Sequence, residues 1–523
     1  MMSEASPLRQ GLRYALLGLA ALAAIALSES ILQSTSSLYL AFAPRVYLDE
    51  AWALAALLAG LALLGAVLDQ PRRPRWLAGA ARGLLLALLF VALFQIFRRS
   101  LAAGLALSGM LKLALLTACV LGAALAVWRL QLEAQWRLAS AAAVAMLSMF
   151  ALQPGMPGYL LSLMKSVEAR PAPATLQPTL RRTLVLVLDE WDLEISQRAG
   201  LFDRSPLREM QAQGFVATRA MPAGPNTLVS IPGMLQGRRF GALDSGGAGY
   251  LENRSGARFD RAHAGLFNDL DEAGIGYGVV GFYHDYCAIA RGARRCHAEP
   301  VQFFPGWWAA LTRSVKRGQE FDYPYSDFLR QWSATLAALR AQARQTLADP
   351  DNQVVWLHLN VPHPPIALAG GRAQSLALDY QANLDLLQTV VSELRDALQA
   401  AQGDVAMVLT SDHWLREKEL WAGIYERQRG PGSGSAGKSE KDQHVPFMVW
   451  FSQAAGKGLQ FEGPVSTTSL RELVPALAQR RLNSPAEIAA FMQARAARLG
   501  PSETQPFDDL HGAAVHAGDG HHH

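Results

Sequence analysis

The sequence predicts a protein in two parts, an N-terminal five-helix transmembrane domain and an exported α/β domain with a largely parallel central sheet. Three observations support this prediction. Ala- and Leu-rich runs fill residues 1–153, arginines are unevenly distributed around those runs, and short apolar runs alternate with amphipathic stretches in residues 183–500. Residues 154–182 are predicted to connect the two parts, and residues 501–523 to form a disordered tail whose terminal histidines are not considered as ligands.

Five apolar runs in residues 11–153 are predicted to be membrane spans. "AWALAALLAGLALLGAVL" is typical of them, and a helix of about 17–23 residues matches the apolar core of a bilayer. Arg9 and Arg13 before the first run also fit a signal peptide. Four more runs behind it favour a membrane-embedded first helix instead.

Arginines around the five runs predict the orientation of the chain. Eight arginines flank the runs on the side of the N-terminus and three flank them on the opposite side. Because basic residues are retained in the cytoplasm, the N-terminus is expected inside. An odd number of spans then places everything after residue 154 outside the cytoplasm.

The connector and the charge of the chain fit a membrane protein that binds no nucleic acid. The connector is rich in proline, and its apolar middle, "YLLSLM", is predicted to lie on the membrane as a short interfacial helix. The net charge is +4, and the basic residues after the fifth run are mixed with acidic ones. Nucleic-acid-binding proteins concentrate basic residues instead, so nucleic acid is not an expected partner. The five apolar runs make the membrane the expected one.

Two cysteines in the exported part are predicted to form a disulfide. Cys287 and Cys296 lie in "YCAIARGARRC", and cysteines this close in an oxidising compartment are typical of a local disulfide. A zinc site that adds His284 and His297 to the two cysteines remains the alternative.

Strand and helix patterns alternate in the exported part. The helices are predicted in "SPLREMQAQG", "AGLFNDLDEAG" and "QANLDLLQTVVSELRDALQAAQG". The buried strands are predicted at 183–188, 276–283, 353–360, 404–411 and 445–451. This alternation favours an α/β domain with a largely parallel sheet.

Acidic residues and histidines adjoin four of these five strands, and ligands of open α/β sheets gather at strand ends. The residues concerned are Asp189 and Glu190 after the first strand, His358 and His363 in and after the third, Asp412 and His413 after the fourth, and His444 before the fifth. Carboxylate oxygens combined with imidazole nitrogens suit a divalent metal, with Zn favoured and Mn as the second choice over Ca.

Thr227 in "AGPNTLVSIPGMLQG" has two interpretations. A threonine before an apolar run is often a helix N-cap. Beside a metal, however, its hydroxyl would have a lowered pKa and serve as a nucleophile, and the helix N-terminus would attract a phosphoryl group. Both roles are compatible on one residue.

These motifs resemble the membrane-anchored, sulfatase-like branch of the alkaline phosphatase superfamily, which includes phosphoethanolamine transferases and lipoteichoic acid synthases. "NTLVSIP" is similar to the nucleophile segment of the transferases, and "TSDH" to their metal motif. The resemblance implies that Thr227 is the nucleophile and a metal ligand, with Asp412 and His413 as further ligands. "HLNVPHPP" and "QHVPF" resemble substrate-side segments. They imply substrate contacts by His363 and His444, with His358 in the same segment.

Two departures from the family patterns bear on the chemistry. "LDEWD" has Asp-Glu where the transferases have Gly-Glu, so Glu190 corresponds to the transferase ligand and Asp189 to the sulfatase ligand, and both remain candidates. The Cys/Ser-x-Pro-x-Arg segment of true sulfatases does not occur, and Asp-His replaces their Asp-Asn. Both differences favour phosphate over sulfate.

The resemblance implies a multi-pass protein of the bacterial inner membrane with a periplasmic catalytic domain. The expected reaction moves phosphoethanolamine or phosphoglycerol from a phospholipid donor, through phospho-Thr227, to a lipid or glycan acceptor of the cell envelope. A membrane-anchored hydrolase and a catalytically silent protein that binds an envelope lipid or glycan are the alternatives.

Overall fold

The computed structural model describes scattered residues between 76 and 144 and most of the chain after 180. The described ranges are 180–243, 250–252, 265–284, 286–299, 325–364, 374–400, 403–439, 442–453, 457–499 and 503–507. Within the part of the chain that is described, none of the helices has both the length and the apolar character that crossing a bilayer requires. The five predicted spans and the connector up to residue 179 lie, as continuous segments, outside the described residues.

A mostly parallel sheet organises the α/β domain. Its strand order is β10-β2-β9-β8-β1-β7-β5-β6, with β11 also paired to β2. Among the pairs described for this sheet, only those of β9, with β8 and with β2, are antiparallel. The strands of this sheet are β1 (Arg182–Asp189), β2 (Phe215–Met221), β5 (Tyr277–Phe282), β6 (Arg295–Glu299), β7 (Val354–Pro362), β8 (Val405–Ser411), β9 (Val445–Phe451), β10 (Leu459–Phe461) and β11 (Val465–Ser466). The predicted sheet is confirmed, and all five predicted strands belong to it.

Helices pack on both faces of this sheet, and a small second sheet pairs β3 (Phe240–Leu243) with β4 (Tyr250–Glu252). The α-helices are α1 (Leu193–Arg198), α2 (Leu207–Gln213), α3 (Thr227–Gln236), α4 (Leu266–Glu272), α5 (Tyr286–Ile289), α6 (Tyr325–Ala348), α7 (Leu376–Ala400), α8 (Ala422–Arg429), α9 (Leu470–Ala478) and α10 (Pro485–Leu499). Short turns of other helix types lie at Leu201–Asp203, Glu417–Trp421 and Thr467–Ser469. The three predicted helices correspond to α2, α4 and α7.

The centre of strand β1, Leu184–Leu188, is apolar at every position because both of its faces are covered. Val185 and Val187 pack into one buried cluster with α3, α4 and α9. Leu186 and Leu188 point to the other face and pack with α6 and α7. Neighbouring side chains alternate between faces, so a strand covered on both sides must be apolar at every position. Each such side chain contributes about 1.5–3 kcal/mol through burial.

The strand pairing brings the predicted site residues to one edge of the sheet. Leu188 of β1 pairs with Ser411 of β8 and with Leu359 of β7, all in parallel register. The residues that follow these strands therefore emerge together. Strand β9 runs the opposite way, so the residue before its start, His444, reaches the same edge.

The unit β5–α5–β6 contains the predicted disulfide. Cys287 in α5 is bonded to Cys296 in β6, with their Cα atoms 5.6 Å apart. The zinc alternative is wrong because the disulfide uses both sulfur atoms. His297 instead pairs with Glu299, with Nε2 and Oε2 2.6 Å apart.

Part of the predicted disordered tail packs on the domain. The backbone N–H of Phe507 donates to Oε1 of Gln443 at 2.7 Å, and the guanidinium carbon of Arg239 lies 4.2 Å from the Phe507 ring centroid. Residues 508–523 lie outside the described residues.

Replacing Cys287 and Cys296 together by serine is expected to lower the free energy of unfolding by about 2–3 kcal/mol. Without the disulfide, the unfolded chain regains the conformational entropy that closure of a loop of this length removes. Denaturant unfolding that follows the α/β domain measures the difference. Reductant should shift the wild-type midpoint to that of the variant and leave the variant unchanged. Equal midpoints for the oxidised wild type and the variant would contradict the expectation.

Candidate active site

The turn after β1 is held in an unusual conformation. Glu190 has φ 57°, in the left-handed region that non-glycine residues rarely adopt. The hydroxyl of Tyr380 donates to the Glu190 carbonyl at 2.6 Å and accepts from the Asp192 N–H at 2.9 Å. The N–H of Trp191 donates to Oγ of Ser411 at 2.8 Å. Neighbouring residues thus maintain the strained turn that exposes the end of β1 to the other site residues.

Asp412, directly after β8, has one satisfied oxygen and one that is free. Its Oδ1 accepts from the backbone N–H groups of His413 at 2.7 Å and Glu190 at 3.1 Å. Its Oδ2 is buried and has no hydrogen-bond partner among the described residues. A buried carboxylate oxygen without a partner is costly unless a cation satisfies it.

Asp189, Asp412 and His413 form a compact, buried cluster. One ligand atom from each residue lies within 4.8 Å of the others. Nε2 of His413 is 3.7 Å from Oδ1 of Asp189 and 3.5 Å from Oδ2 of Asp412. Nδ1 of His413 donates to the carbonyl of Trp414 at 2.8 Å, so the lone pair of Nε2 faces the two carboxylates. Metal-binding histidines typically bind the metal through one ring nitrogen and donate a hydrogen bond from the second, as Nδ1 does here.

The electrostatics of this cluster fit a cation. Burial, and then the nearby charge of Asp412, raise the pKa of Asp189 well above its usual value. Burial also raises the pKa of Asp412 to about 6, and it lowers the pKa of His413 well below its usual value. Two crowded carboxylates and a neutral imidazole are ligands that a divalent metal would bind and stabilise. The Asp/His group can therefore hold a metal ion.

The hydroxyl of Thr227 lies against this cluster. Its Oγ1 is 3.2 Å from Nε2 of His413 and donates to Oδ1 of Asp189 at 3.4 Å. Thr227 is the first residue of α3, and the N-cap is Asn226, whose side chain accepts from the Val229 N–H. The capping interpretation of Thr227 is therefore wrong, and its hydroxyl is available to the cluster.

Glu190 lies beside the cluster but outside it. Nε1–H of Trp421 donates to its Oε2 at 2.7 Å, and Nε of Arg416 is 3.3 Å from its Oε1. Burial raises the pKa of Glu190 to about 7, although Arg416 opposes the shift. Of the two carboxylates that the sequence left open as ligands, Asp189 is the one that the structure places with Asp412 and His413.

His363 lies at the outer side of the cluster. Its Nδ1 donates to the carbonyl of Pro364 at 2.5 Å, and its Nε2 is 4.0 Å from Oδ2 of Asp189 and from Oε2 of Glu190. The rings of Trp332 and Trp421 lie 4.9 and 5.0 Å from its ring. Burial lowers the pKa of His363 to about 3, so the imidazole is neutral near these carboxylates.

The two remaining predicted histidines lie in different surroundings. His358 is fully buried, with Nδ1 2.9 Å from the hydroxyl of Tyr286 and Nε2 3.9 Å from Oδ2 of Asp412. It therefore lies behind the cluster and not on a substrate-facing surface. His444 has a side chain 31% exposed and pairs with Asp442, at 2.7 Å between Nδ1 and Oδ1. It lies at the right edge of the sheet, and no hydrogen bond between it and the cluster occurs among the described residues.

Several residues that support the site carry no sequence signal of their own. Tyr380 lies near the start of α7 without a motif around it, and Arg416 and Trp421 follow the metal motif without a recognisable spacing. His284, considered above only for a zinc site, bonds through Nε2 to the backbone carbonyl of Thr227 at 2.9 Å. Only folding brings these residues to the cluster.

Asp412→Asn and His413→Ala are each expected to weaken binding of a divalent metal more than about tenfold. Mutation of residues that only hydrogen-bond to a metal ligand already lowers metal affinity by about tenfold or more, and loss of a ligand should lower it further. Asn keeps the oxygen that accepts from Glu190 and His413, so the fold should be retained. Metal content after dialysis against a chelator, with circular dichroism as a check of folding, measures the effect. Glu190→Gln is the matched control and should keep its metal. Full metal content in Asp412→Asn would remove Asp412 from the ligand set, and metal loss in the control would add Glu190 to it.

Comparison with known proteins gives the family. The family model described as Sulfatase matches residues 192–479, more than half of the chain. No curated protein matches the chain in sequence.

Several solved structures are similar to the chain in part. The C-terminal periplasmic domain of EcEptC from Escherichia coli is 15% identical, with a TM-score of 0.35, over 60% of this chain and 86% of that one. A protein of the alkaline phosphatase superfamily from Vibrio parahaemolyticus is 12% identical, with a TM-score of 0.35, over 59% and 68%. A 2-O GAG sulfatase is 13% identical, with a TM-score of 0.37, over 57% and 70%. These values are too low to transfer a function from any of them.

The family model covers more than half of the chain. The matched region includes Asp412, His413 and Thr227, which lie together at one edge of the sheet. The chain belongs to the sulfatase family, which is a family of enzymes.

Proposed function

We propose that this protein is a metal-dependent transferase that moves a phospho-alcohol group, phosphoethanolamine or phosphoglycerol, from a phospholipid to a lipid or glycan of the cell envelope. The observation that carries the proposal is the position of the Thr227 hydroxyl, 3.4 Å from Oδ1 of Asp189 and 3.2 Å from Nε2 of His413. A hydroxyl beside a metal-binding cluster and at a helix N-terminus is suited to attack phosphorus.

The reaction has two balanced steps. In the first, Oγ1 of Thr227 forms a bond to phosphorus while the bond from phosphorus to the diacylglycerol oxygen breaks, and the proton of the hydroxyl passes to the departing alcohol. In the second, a hydroxyl or amine of the acceptor attacks phosphorus, the bond to Thr227 breaks, and the threonine hydroxyl regains a proton. A divalent ion, Zn or Mn, held by Asp189, Asp412 and His413, would lower the pKa of the Thr227 hydroxyl and neutralise the phosphate oxygens.

The protein itself provides orientation and a site for the phosphate charge. The first turn of α3 directs backbone N–H groups and the positive end of the helix dipole towards a phosphoryl group on Thr227. His363 offers a neutral Nε2 on the outer side of the cluster, which can accept a hydrogen bond from a hydroxyl or amine of a substrate. His444, half-exposed at the same edge, is the second candidate for contact with substrate.

The hydrolase alternative uses the same first step and differs only in that water takes the place of the acceptor. The family match to sulfatases is the observation that favours it. The chain nevertheless has Thr227 as the available hydroxyl and Asp412-His413 in place of an Asp-Asn pair, which supports phosphate as the group transferred. A catalytically silent binding protein would not need the cluster and the hydroxyl together.

The proposal includes a location in the bacterial inner membrane with the enzyme domain on the periplasmic side. It rests on the five apolar runs and on the arginine distribution around them. A phospholipid donor is accessible to a domain that is attached to the membrane in this way.

A reporter that is active only outside the cytoplasm should be active when fused after Gly500 and silent when fused near Pro74, because an odd number of spans separates the two positions. The measurement is reporter activity normalised to the amount of fusion protein. A cytoplasm-active reporter at the same positions is the control and should give the opposite pattern. Activity of the external reporter at Pro74 alone would reject the five-span topology.

Thr227→Ala is expected to reduce turnover at least about 10³-fold, as for other nucleophile deletions. Its stability should change little, because Asn226 caps the helix. Thr227→Ser should retain part of the activity. Peptide mapping of protein incubated with donor phospholipid and no acceptor should find the phospho-alcohol adduct on Thr227.

Ser230→Ala is the matched control for that experiment. Ser230 lies one turn further along α3, and its Oγ donates to the backbone carbonyl of Asp412 at 2.5 Å. This variant should still form the adduct. An adduct on Ser230, or normal turnover by Thr227→Ala, would overturn the proposed mechanism.

A further inference from the structure

His284 makes a buried hydrogen bond to the backbone of the proposed nucleophile. Its Nε2 lies 2.9 Å from the carbonyl oxygen of Thr227, and its side chain is fully buried. A carbonyl oxygen can only accept, so Nε2 carries the proton and His284 donates. Burial lowers the pKa of His284 to about 4, and the ring is neutral at ordinary pH. The chemical steps above do not use this residue.

The backbone before His284 is strained in a way that directs it towards Thr227. Tyr283 has φ 68°, and the N–H of His284 donates to the carbonyl of Phe282 at 2.7 Å. This is a γ-turn with a positive φ at its centre, a rare and strained type. Strain of this kind persists only where surrounding structure enforces it, and it is found preferentially at functional sites.

Two further features anchor this turn. The ring of Tyr286 packs directly over Gly281, where an added Cβ would lie only 2.3 Å from a ring carbon. The hydroxyl of Tyr286 also contacts Nδ1 of His358. The disulfide between Cys287 and Cys296 then ties α5 to β6. The chain is thus held in place both before His284, at Gly281, and after it, at Tyr286 and Cys287. A histidine that only filled space in the core would not need such a fixed backbone.

The first turn of α3 needs support from outside the helix. Residue 232 is a proline inside α3, so it has no N–H to donate to the carbonyl of Leu228, four residues earlier. The side chain of Asn226 caps this weakened turn from within the helix start, whereas the ring of His284 and the hydroxyl of Ser230 attach it to the rest of the domain. A small displacement of the turn would move the Thr227 hydroxyl away from Asp189 and His413.

We propose that His284 is a positioning residue, which holds the Thr227 peptide so that the hydroxyl stays aligned for attack on phosphorus. This inference rests on the proposed function of Thr227. It predicts an effect on the rate of attack and not on metal binding, because His284 contacts the carbonyl of Thr227 and none of the three cluster residues in the described contacts.

The test compares His284→Phe with His284→Gln. Phe fills similar space but cannot donate, whereas the amide N–H of Gln has about the same reach as Nε2. With p-nitrophenyl phosphoethanolamine as the probe, His284→Phe should slow the nitrophenolate burst about 10²-fold, the usual effect of a small misplacement of a reacting group. Its KM and metal content should stay near those of the wild type. His284→Gln should recover the burst rate to within about tenfold.

Hydrogen exchange gives a second measurement that does not depend on the probe. The amides at the start of α3 should exchange about 10–100-fold faster in His284→Phe than in the wild type, and near the wild-type rate in His284→Gln. Unchanged exchange in His284→Phe, or equal defects in both variants, would overturn the inference. Thr227→Ala is measured alongside. If it turns over normally, the proposed function fails, whereas an inactive Thr227→Ala with a normal His284→Phe rejects only the positioning role.

Discussion

The crowding of buried carboxylates at the end of β1 and β8 is the constraint on which the rest of the site depends. Asp189 and Asp412 are both almost completely buried, and the charge of Asp412 disfavours ionisation of Asp189. Burial of such a pair is costly without a cation beside it. The strained turn at Glu190 and the fixed ring orientation of His413 carry costs that a bound cation would offset. Asp189 also accepts from the Thr227 hydroxyl, so the two carboxylates and the proposed nucleophile belong to one arrangement.

The fold was predictable where burial leaves a simple pattern. Strands β1 and β8 are apolar at nearly every position because helices cover both faces of the sheet. Strand β2 was not predicted, since Arg219 is exposed in its middle and interrupts the apolar run. The antiparallel direction of β9 was also not predictable, because a fully buried strand has the same composition in either direction.

The site was predictable as a set of strand-end residues but not in its internal arrangement. Asp189 ends β1, Asp412 and His413 directly follow β8, and parallel pairing brings these strand ends together. The separate surroundings of Asp189 and Glu190 depend on one positive φ angle and on Trp421, which lies far along the chain. The role of His284 was hidden because its proximity to Cys287 suggested a metal ligand, whereas its partner is a carbonyl 57 residues away.

The division of work between Asn226 and Thr227 has an evolutionary consequence. The helix start depends on the side chain at 226, and the proposed reactive group is the side chain at 227. A change of nucleophile at 227, to another hydroxyl or to a thiol, would therefore leave the cap of α3 in place. Because the two tasks are encoded by separate codons, a lineage of such enzymes can explore new reactive groups without first losing the local structure that presents them.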